Sequence, residues 1–207
     1  MTVSTDSDVS KFLNSIELSA VDRKLGEVAR IREAGVSGDA AKATIEFGFP
    51  CDSAHASIRE QISAALRAET GASRVEIELA TRIMRHAVQK NLKPIEAVKN
   101  IIAVASGKGG VGKSTVSANI ALALSAEGAS VGILDADIYG PSQPHMMGIV
   151  GEQPVSEDGK TMLPLHAHGL QVMSMGALVD ADQTCCGVDD WRVFRMQEIT
   201  LLIGAAR

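Results

Sequence analysis

The sequence predicts an α/β fold in its second half, a parallel sheet built round a phosphate-binding loop, with a small α+β domain ahead of it. Three observations predict this. The run Gly107-Lys108-Gly109-Gly110-Val111-Gly112-Lys113-Ser114 fits G-x-x-x-x-G-K-[ST] at every specified position, between an apolar run and an amphipathic stretch. The residues before it follow the order helix, strand, strand, helix, strand, which suits a helix packed on one face of a mixed sheet. The charge balance also changes: residues 1–99 hold 14 basic and 14 acidic side chains, whereas residues 100–207 hold 6 and 11.

In the first half, Ser10–Leu18 reads as a short helix. Glu27–Glu33 and Ala41–Phe47 read as strands, the first with Val28, Arg30 and Arg32 alternating against Ala29, Ile31 and Glu33. Turn residues over Gly35–Asp39 make these two strands a hairpin. Ala54–Glu69 is a helix with Ile58, Ile62, Ala65 and Leu66 on one face, capped by Asp52 or Ser53 and stopped at Gly71. Arg74–Leu79 alternates as a third strand. The Lys93-Pro94 pair then breaks the pattern and sets a domain boundary. In the second half, Ile101–Ala105 is apolar on both faces, as a buried parallel strand requires. Ser114–Glu127 is a helix with Val116, Ile120, Ala123 and Leu124 inward, and Ala129–Asp135 is the next buried strand. Gln153–Leu165 reads as a hairpin or excursion, and Leu170–Met175 as a third core strand.

Composition narrows the function. The 207 residues carry a net charge of −5 and only 3% aromatics, which argues against a basic or base-stacking nucleic-acid surface. No apolar run approaches the roughly 18 residues of a membrane span, and the first residues lack a secretory pattern. Three cysteines, two of them adjacent (Cys185 and Cys186), do not make a disulfide framework. A cytoplasmic protein is expected, with no nucleic acid and no membrane as partner.

The glycine-rich loop carries the chemistry. Glycines let consecutive backbone N–H groups turn inward round an anion, and the following helix points its positive end at the same place. The run Gly107, Lys108, Gly109, Gly110, Val111, Gly112, Lys113, Ser114 and Thr115 is therefore a nucleotide-binding candidate. Lys113 is expected to reach the β- and γ-phosphates, and the Ser114 hydroxyl to ligate Mg²⁺. A glycine-rich turn matching by chance is the alternative, and the strand before and helix after it argue against that. Asp135-Ala136-Asp137 ends the second strand, at the edge where open α/β sheets bind ligands. One carboxylate there can hold the water shell of magnesium while the other orients an attacking water, or both can cap the next turn.

The K-G-G-V-G-K-S form of the loop, with its second lysine, resembles the deviant phosphate loop of the ATPases that include MinD, ParA and nitrogenase iron protein. That resemblance implies a homodimer with ATP between subunits, and gives Lys108 a catalytic role on the partner's nucleotide beside Lys113. It also implies Asp135 as the water-mediated Mg²⁺ ligand and Asp137 as the residue on the catalytic water. Longer blocks are similar to the Mrp-type (ApbC-like) iron–sulfur cluster carriers: Val98–Ser106, Asp135-Ala136-Asp137-Ile138-Tyr139-Gly140-Pro141-Ser142-Gln143-Pro144, Asp158–Met162 and His168–Gly176. The first half resembles the small domain many of these carriers bear. The implied fold is an incomplete P-loop NTPase parallel sheet preceded by a small α+β domain, with domains at 1–92 and 97–207. The implied activity is ATP hydrolysis coupled to assembly and transfer of [4Fe–4S] clusters to apo iron–sulfur proteins.

Two parts of that pattern are missing. No D-x-P-P-G-T-G-D switch II follows, and no C-x-x-C cluster motif, so this chain offers no iron–sulfur ligands. The family-like text fades near Thr184. From there an aberrant, frame-shifted tail is one expectation, and a helix capped by Asp189 with Trp191, Val193, Phe194, Ile199 and Leu202 partly inward is the other. A sheet cut short would leave an edge and one apolar face uncovered, with weak ATP binding at best and little hydrolysis. A partitioning or cell-division type ATPase and a non-catalytic nucleotide-binding remnant are the alternatives in function. Cys51, just before a helix, is read as a buried inert thiol rather than a nucleophile or ligand. His166 and His168, two apart, would share a strand face without completing a metal site. Met146-Met147 and Met173/Met175 are read as core filler.

Overall fold

The computed structural model describes residues 6–85, 98–137, 140–158, 162–178 and 199–205. The chain divides into two compact units, Met1–Met84 and Arg85–Arg207.

The first unit opens with α1 (Asp6–Ser15), whose Val9 and Leu13, four apart, are both buried. It starts and stops earlier than the spacing suggested, with Asp6 and Asp8 in its first turn, where carboxylates suit the helix dipole. Two short strands, β1 (Glu17–Leu18) and β2 (Arg23–Lys24), pair antiparallel, and a single turn, α2 (Leu25–Val28), follows. Then come β3 (Ala29–Ser37), β4 (Ala40–Phe47), α3 (His55–Thr70) and β5 (Arg74–Thr81), with sheet order β3-β4-β5. The β3–β4 pair is an antiparallel hairpin closed by Gly38-Asp39, and β4–β5 is parallel. Glu27 and Val28, expected at the start of the first strand, belong to α2 instead. The simple alternation also fails along β3, because a register shift between Ile31 and Glu33 inserts a bulge. Ala29 and Ile31 pack on the core before it, and Ala34 and Val36 after it.

The central strand β4 keeps strict alternation, with Ala41, Ala43, Ile45 and Phe47 all buried. Ile58, Ile62 and Leu66 of α3 close over this face, and Ala65 lies at the margin, half-buried. Gly71 ends the helix in the left-handed region at φ 72°. The N-terminal cap differs from expectation: a 3₁₀ turn over Asp52–Ala54 precedes α3, and Ala54 is the N-cap, with no side-chain cap bond.

The second unit contains β6 (Val98–Ala105), α4 (Lys113–Ala126), β7 (Ser130–Asp135), α5 (Gln143–Met147), β8 (Leu165–Ala167), β9 (Leu170–Ser174) and β10 (Ile199–Ala205). These strands lie in the order β6-β10-β7-β9-β8. The class is α/β, but the sheet is mixed rather than parallel. Among the described residues of this unit, only β7 and β9 are bonded parallel neighbours; β8 and β9 form an antiparallel hairpin. β6 and β7 run in one sense but are separated by β10, which is antiparallel to both. The helix reading of the tail is thereby corrected at Ile199–Ala205, where the backbone finds ladder partners on two sides. Residues 184–198, including Cys185, Cys186, Asp189 and Trp191, lie outside the described residues.

Small residues on α4 let it approach the sheet closely. Ser117, Ala118 and Ala121 are buried there, with Ile120 and Leu124 packed against Val131, Ile133, Leu170 and Val172. Val116 and Ala123, expected inward, are exposed. The helix is apolar almost all round, so its periodicity does not select a face. β6 is also more open than a doubly covered strand: Ile101 and Ile102 are 47% and 42% exposed, as an edge strand allows. In the excursion, Leu163 N–H donates to the Val155 carbonyl at 2.8 Å, and among its described residues before Leu165 there is no strand. His168 turns between β8 and β9 at φ 50°, so it does not share a strand face with His166. Met147 is core as expected, while Met146 and Met175 lie at the surface, 40% and 36% exposed.

Candidate nucleotide site

The loop between β6 and α4 is shaped by a few local bonds. The Ser106 hydroxyl accepts from Lys108 N–H at 3.1 Å and donates to the Lys108 carbonyl at 3.2 Å, pinning the start of the loop. Gly110 and Gly112 take left-handed φ values of 73° and 86°, a conformation that side-chain-bearing residues resist. Gly112 is the N-cap of α4, and its carbonyl accepts from Val116 N–H at 2.9 Å. A Cβ built on Gly109, Gly110 or Gly112 would meet nothing within 4 Å, so these three glycines line open space. That combination, an open glycine-lined turn against the start of a fourteen-residue helix, fits a phosphate group.

Side chains fix the first turn of α4 as well. Ser117 Oγ donates to the Lys113 carbonyl at 3.0 Å, and Asn119 Nδ2 to the Thr115 carbonyl at 2.8 Å. Lys113 and Ser114 are half-buried, and Lys108 and Thr115 are exposed.

The aspartates sit at the end of β7. Asp135 is buried, and its carboxylate accepts four hydrogen bonds. Oδ2 accepts from Ser142 N–H and Gln143 N–H at 3.1 Å each and from Ser174 Oγ at 3.3 Å. Among the described residues Oδ1 accepts only from Asp137 N–H at 3.1 Å, which leaves it capacity for one more donor, such as a water. Asp135 therefore caps the turn into α5, the structural role weighed for it, and retains an acceptor that suits water-mediated contact with magnesium. Asp137 is buried too, and its Oδ1 accepts from Gly140 N–H at 3.1 Å.

One residue joins the two halves of the site, and sequence reasoning assigned it no role. Gln143 is fully buried; its backbone N–H bonds Asp135 while its Nε2 donates to the Ser114 carbonyl at 3.1 Å. The available signal was a polar Ser142-Gln143 pair ahead of Pro144 at the start of a helix. Ser174 was missed as well. It accepts from Gly176 N–H at 3.1 Å, and a Cβ on Gly176 would come within 2.6 Å of Pro141 Cγ.

Other candidates lie apart from this cluster. Cys51 is buried in the core of the first unit, in keeping with an inert thiol. Among the described residues, no group of three or more His, Cys, Asp and Glu is arranged to hold a metal ion. Among them, too, no helix is long and apolar enough to cross a membrane.

Residues 97–195 match the family described as ParA: NUBPL iron-transfer P-loop NTPase, a match that runs past Thr184. The chain is 37% identical over 182 residues to the iron–sulfur cluster carrier protein of Haemophilus influenzae, covering 88% of this chain and 49% of that protein. It is 52% identical over 134 residues to the carrier of Escherichia coli K12, covering 65% of this chain and 36% of that one. A carrier from Synechocystis is 36% identical over 182 residues, with 86% and 52% covered. The chain thus spans about half, or less, of the length of these curated relatives. The chain is similar to curated iron–sulfur cluster carrier proteins, and its residues 97–195 match the family model of an iron-transfer P-loop NTPase.

Proposed function

We propose that the chain binds ATP with magnesium at residues 107–115 and serves, as a homodimer, in the ATP-dependent assembly and transfer of [4Fe–4S] clusters to apo iron–sulfur proteins. The observation that carries this reading is the open turn at Gly109, Gly110 and Gly112, joined through Gln143 to the Asp135 carboxylate. ATP supplies the transferable γ-phosphoryl group, and magnesium neutralises its charge. The chain's own residues do the rest. Backbone N–H groups of the loop cradle the phosphates, and Lys113 places its ammonium against the outer two. The Ser114 hydroxyl and the Asp135 carboxylate would hold the hydrated cation, and Asp137 would orient the attacking water. Lys108, exposed at the rim of the loop, supplies positive charge to the nucleotide of a partner subunit, which makes hydrolysis depend on dimerisation.

A second reading is supported by the cysteines. Within these 207 residues Cys51 is buried in the first unit, and Cys185-Cys186 are adjacent rather than spaced C-x-x-C. On that reading the chain binds nucleotide without carrying the cluster. Anaerobic reconstitution with iron and sulfide separates the two. A bound cluster, read by absorbance and iron content, supports the carrier; nucleotide binding without a cluster supports the second reading. ATP-induced dimerisation, measured by light scattering, should be lost in Lys108→Ala, and its persistence would remove the role given to Lys108.

A further inference from the structure

Gln143 is an expensive residue at its position. Its side chain has no exposure, yet among the described residues its Oε1 has no hydrogen-bond partner, and the neighbouring Ser142 Oγ is likewise buried and unpaired there. A buried amide with an unpaired acceptor loses hydration with no return from that atom. A methionine would fill similar volume without this cost. The single bond the side chain does make, Nε2 to the Ser114 carbonyl, therefore calls for an explanation beyond packing. Ser114 sits in the first turn of α4, and its carbonyl also faces the helix's own ladder, so the bond adds an outside tether rather than filling an empty acceptor.

The other end of the same residue is fixed to Asp135 through its backbone N–H. Gln143 thereby spans from the helix that carries the Ser114 hydroxyl to the carboxylate at the end of β7. Pro144 stands in the first turn of the short α5, the left-handed Gly148 ends it, and the Asp135 bonds to Ser142 and Gln143 hold its start in place. These bonds tie the backbone of Gln143 to the end of β7.

We propose that Gln143 is a positioning residue that sets the distance between the Ser114 hydroxyl and Asp135 Oδ1, the two groups that would meet a hydrated magnesium. This rests on the nucleotide reading given above. The amide contributes to the magnesium-dependent part of nucleotide affinity and not to the phosphate contacts of the loop itself. Its chemistry is mechanical: Nε2–H holds Ser114, the backbone N–H holds Asp135, and the metal receives both at one spacing.

The test measures binding of a fluorescent N-methylanthraniloyl-ADP to the full chain, with magnesium and with EDTA, alongside thermal unfolding. In Gln143→Met, the gain in affinity on adding magnesium should fall about three- to tenfold, the equivalent of one lost hydrogen bond. Affinity in EDTA should stay at the wild-type value, and the unfolding temperature should hold or rise because the unpaired Oε1 is gone. Gln143→Leu should show the same split. An unchanged magnesium gain in both variants overturns the proposal. So does a parallel fall in both affinities together with stability, which is the mark of a purely structural role. Failure of both variants to fold also overturns it, since the amide is then needed for folding. If the wild-type chain binds no nucleotide under either condition, the nucleotide reading itself falls, and the positioning role with it.

Discussion

Replacing Asp135 with Ala removes the acceptor for three backbone N–H groups, those of Asp137, Ser142 and Gln143, and for Ser174 Oγ. The hydroxyl can rotate, but the backbone donors are held by the turn. At about 1.5 kcal/mol for each bond to a charged acceptor, the three backbone donors together imply a loss of about 4–5 kcal/mol. That is a large part of the roughly 5–15 kcal/mol by which a domain is stable. Asp135→Asn keeps one oxygen; placed at the Oδ2 position it still accepts three bonds, and its NH₂ then faces only Asp137 N–H. Its cost should be about 2 kcal/mol. The assay is urea unfolding followed by circular dichroism, with hydrogen exchange read on peptides covering 130–147. Asp135→Ala should lower the midpoint of the second unit and unprotect the 140–145 amides, with Asn between it and wild type. If Asp135 were only a site for magnesium, removing a buried carboxylate would stabilise the unliganded chain. A midpoint equal to or above wild type in Asp135→Ala would refute the capping argument.

Three further outcomes are expected. Gly112→Ala must hold a side-chain residue at φ 86°, costing about 1–2 kcal/mol of stability, yet its Cβ enters the open cradle, so nucleotide binding should be lost far beyond that cost. Equal losses in stability and affinity, read by thermal unfolding and titration, would contradict the cradle. Ile62→Ala, at a fully buried site in the core of the first unit, should destabilise that unit by about 2–5 kcal/mol in urea unfolding and leave nucleotide binding unchanged. The Asp39 carboxyl is held below its ordinary value of 3.8 by bonds from the Ser73 hydroxyl and backbone N–H. A depressed carboxylate gives stability that is present above its unfolded pKa and lost as pH falls through the folded one. The stability gap between wild type and Asp39→Ala should therefore be full near neutrality and close below pH 3.8, whereas a gap constant down to pH 3 would be inconsistent with it.

The loop and the first unit were legible because their signals are local. The spacing of Gly107, Gly112, Lys113 and Ser114 is a motif of contiguous residues, and Ile58, Ile62 and Leu66 mark one face of one helix. The bulge at Ile31–Glu33 was not legible, since it shows only in the partner strand's register. β10 escaped for a related reason. Ile199–Ala205 is a short apolar run that suits helix or strand alone, and its two partners, β6 and β7, lie far back in the chain. At the site, Asp135 was identified from its place at the end of a strand. The identity of its donors was hidden, because Ser142, Gln143 and Ser174 reach it only through the fold. The inward face of α4 was misjudged at Val116 and Ala123 because apolar residues surround that helix and only packing selects among them.

The central claim is that residues 107–115 cradle the phosphates of a nucleotide. Isothermal titration of the 207-residue chain with Mg-ATP, beside Lys113→Ala, tests it most directly. The account predicts saturable binding of one nucleotide per chain by the wild type, weakened tenfold or more when the Lys113 ammonium is removed. No saturable binding up to millimolar ATP, or equal affinity in the two proteins, would contradict it.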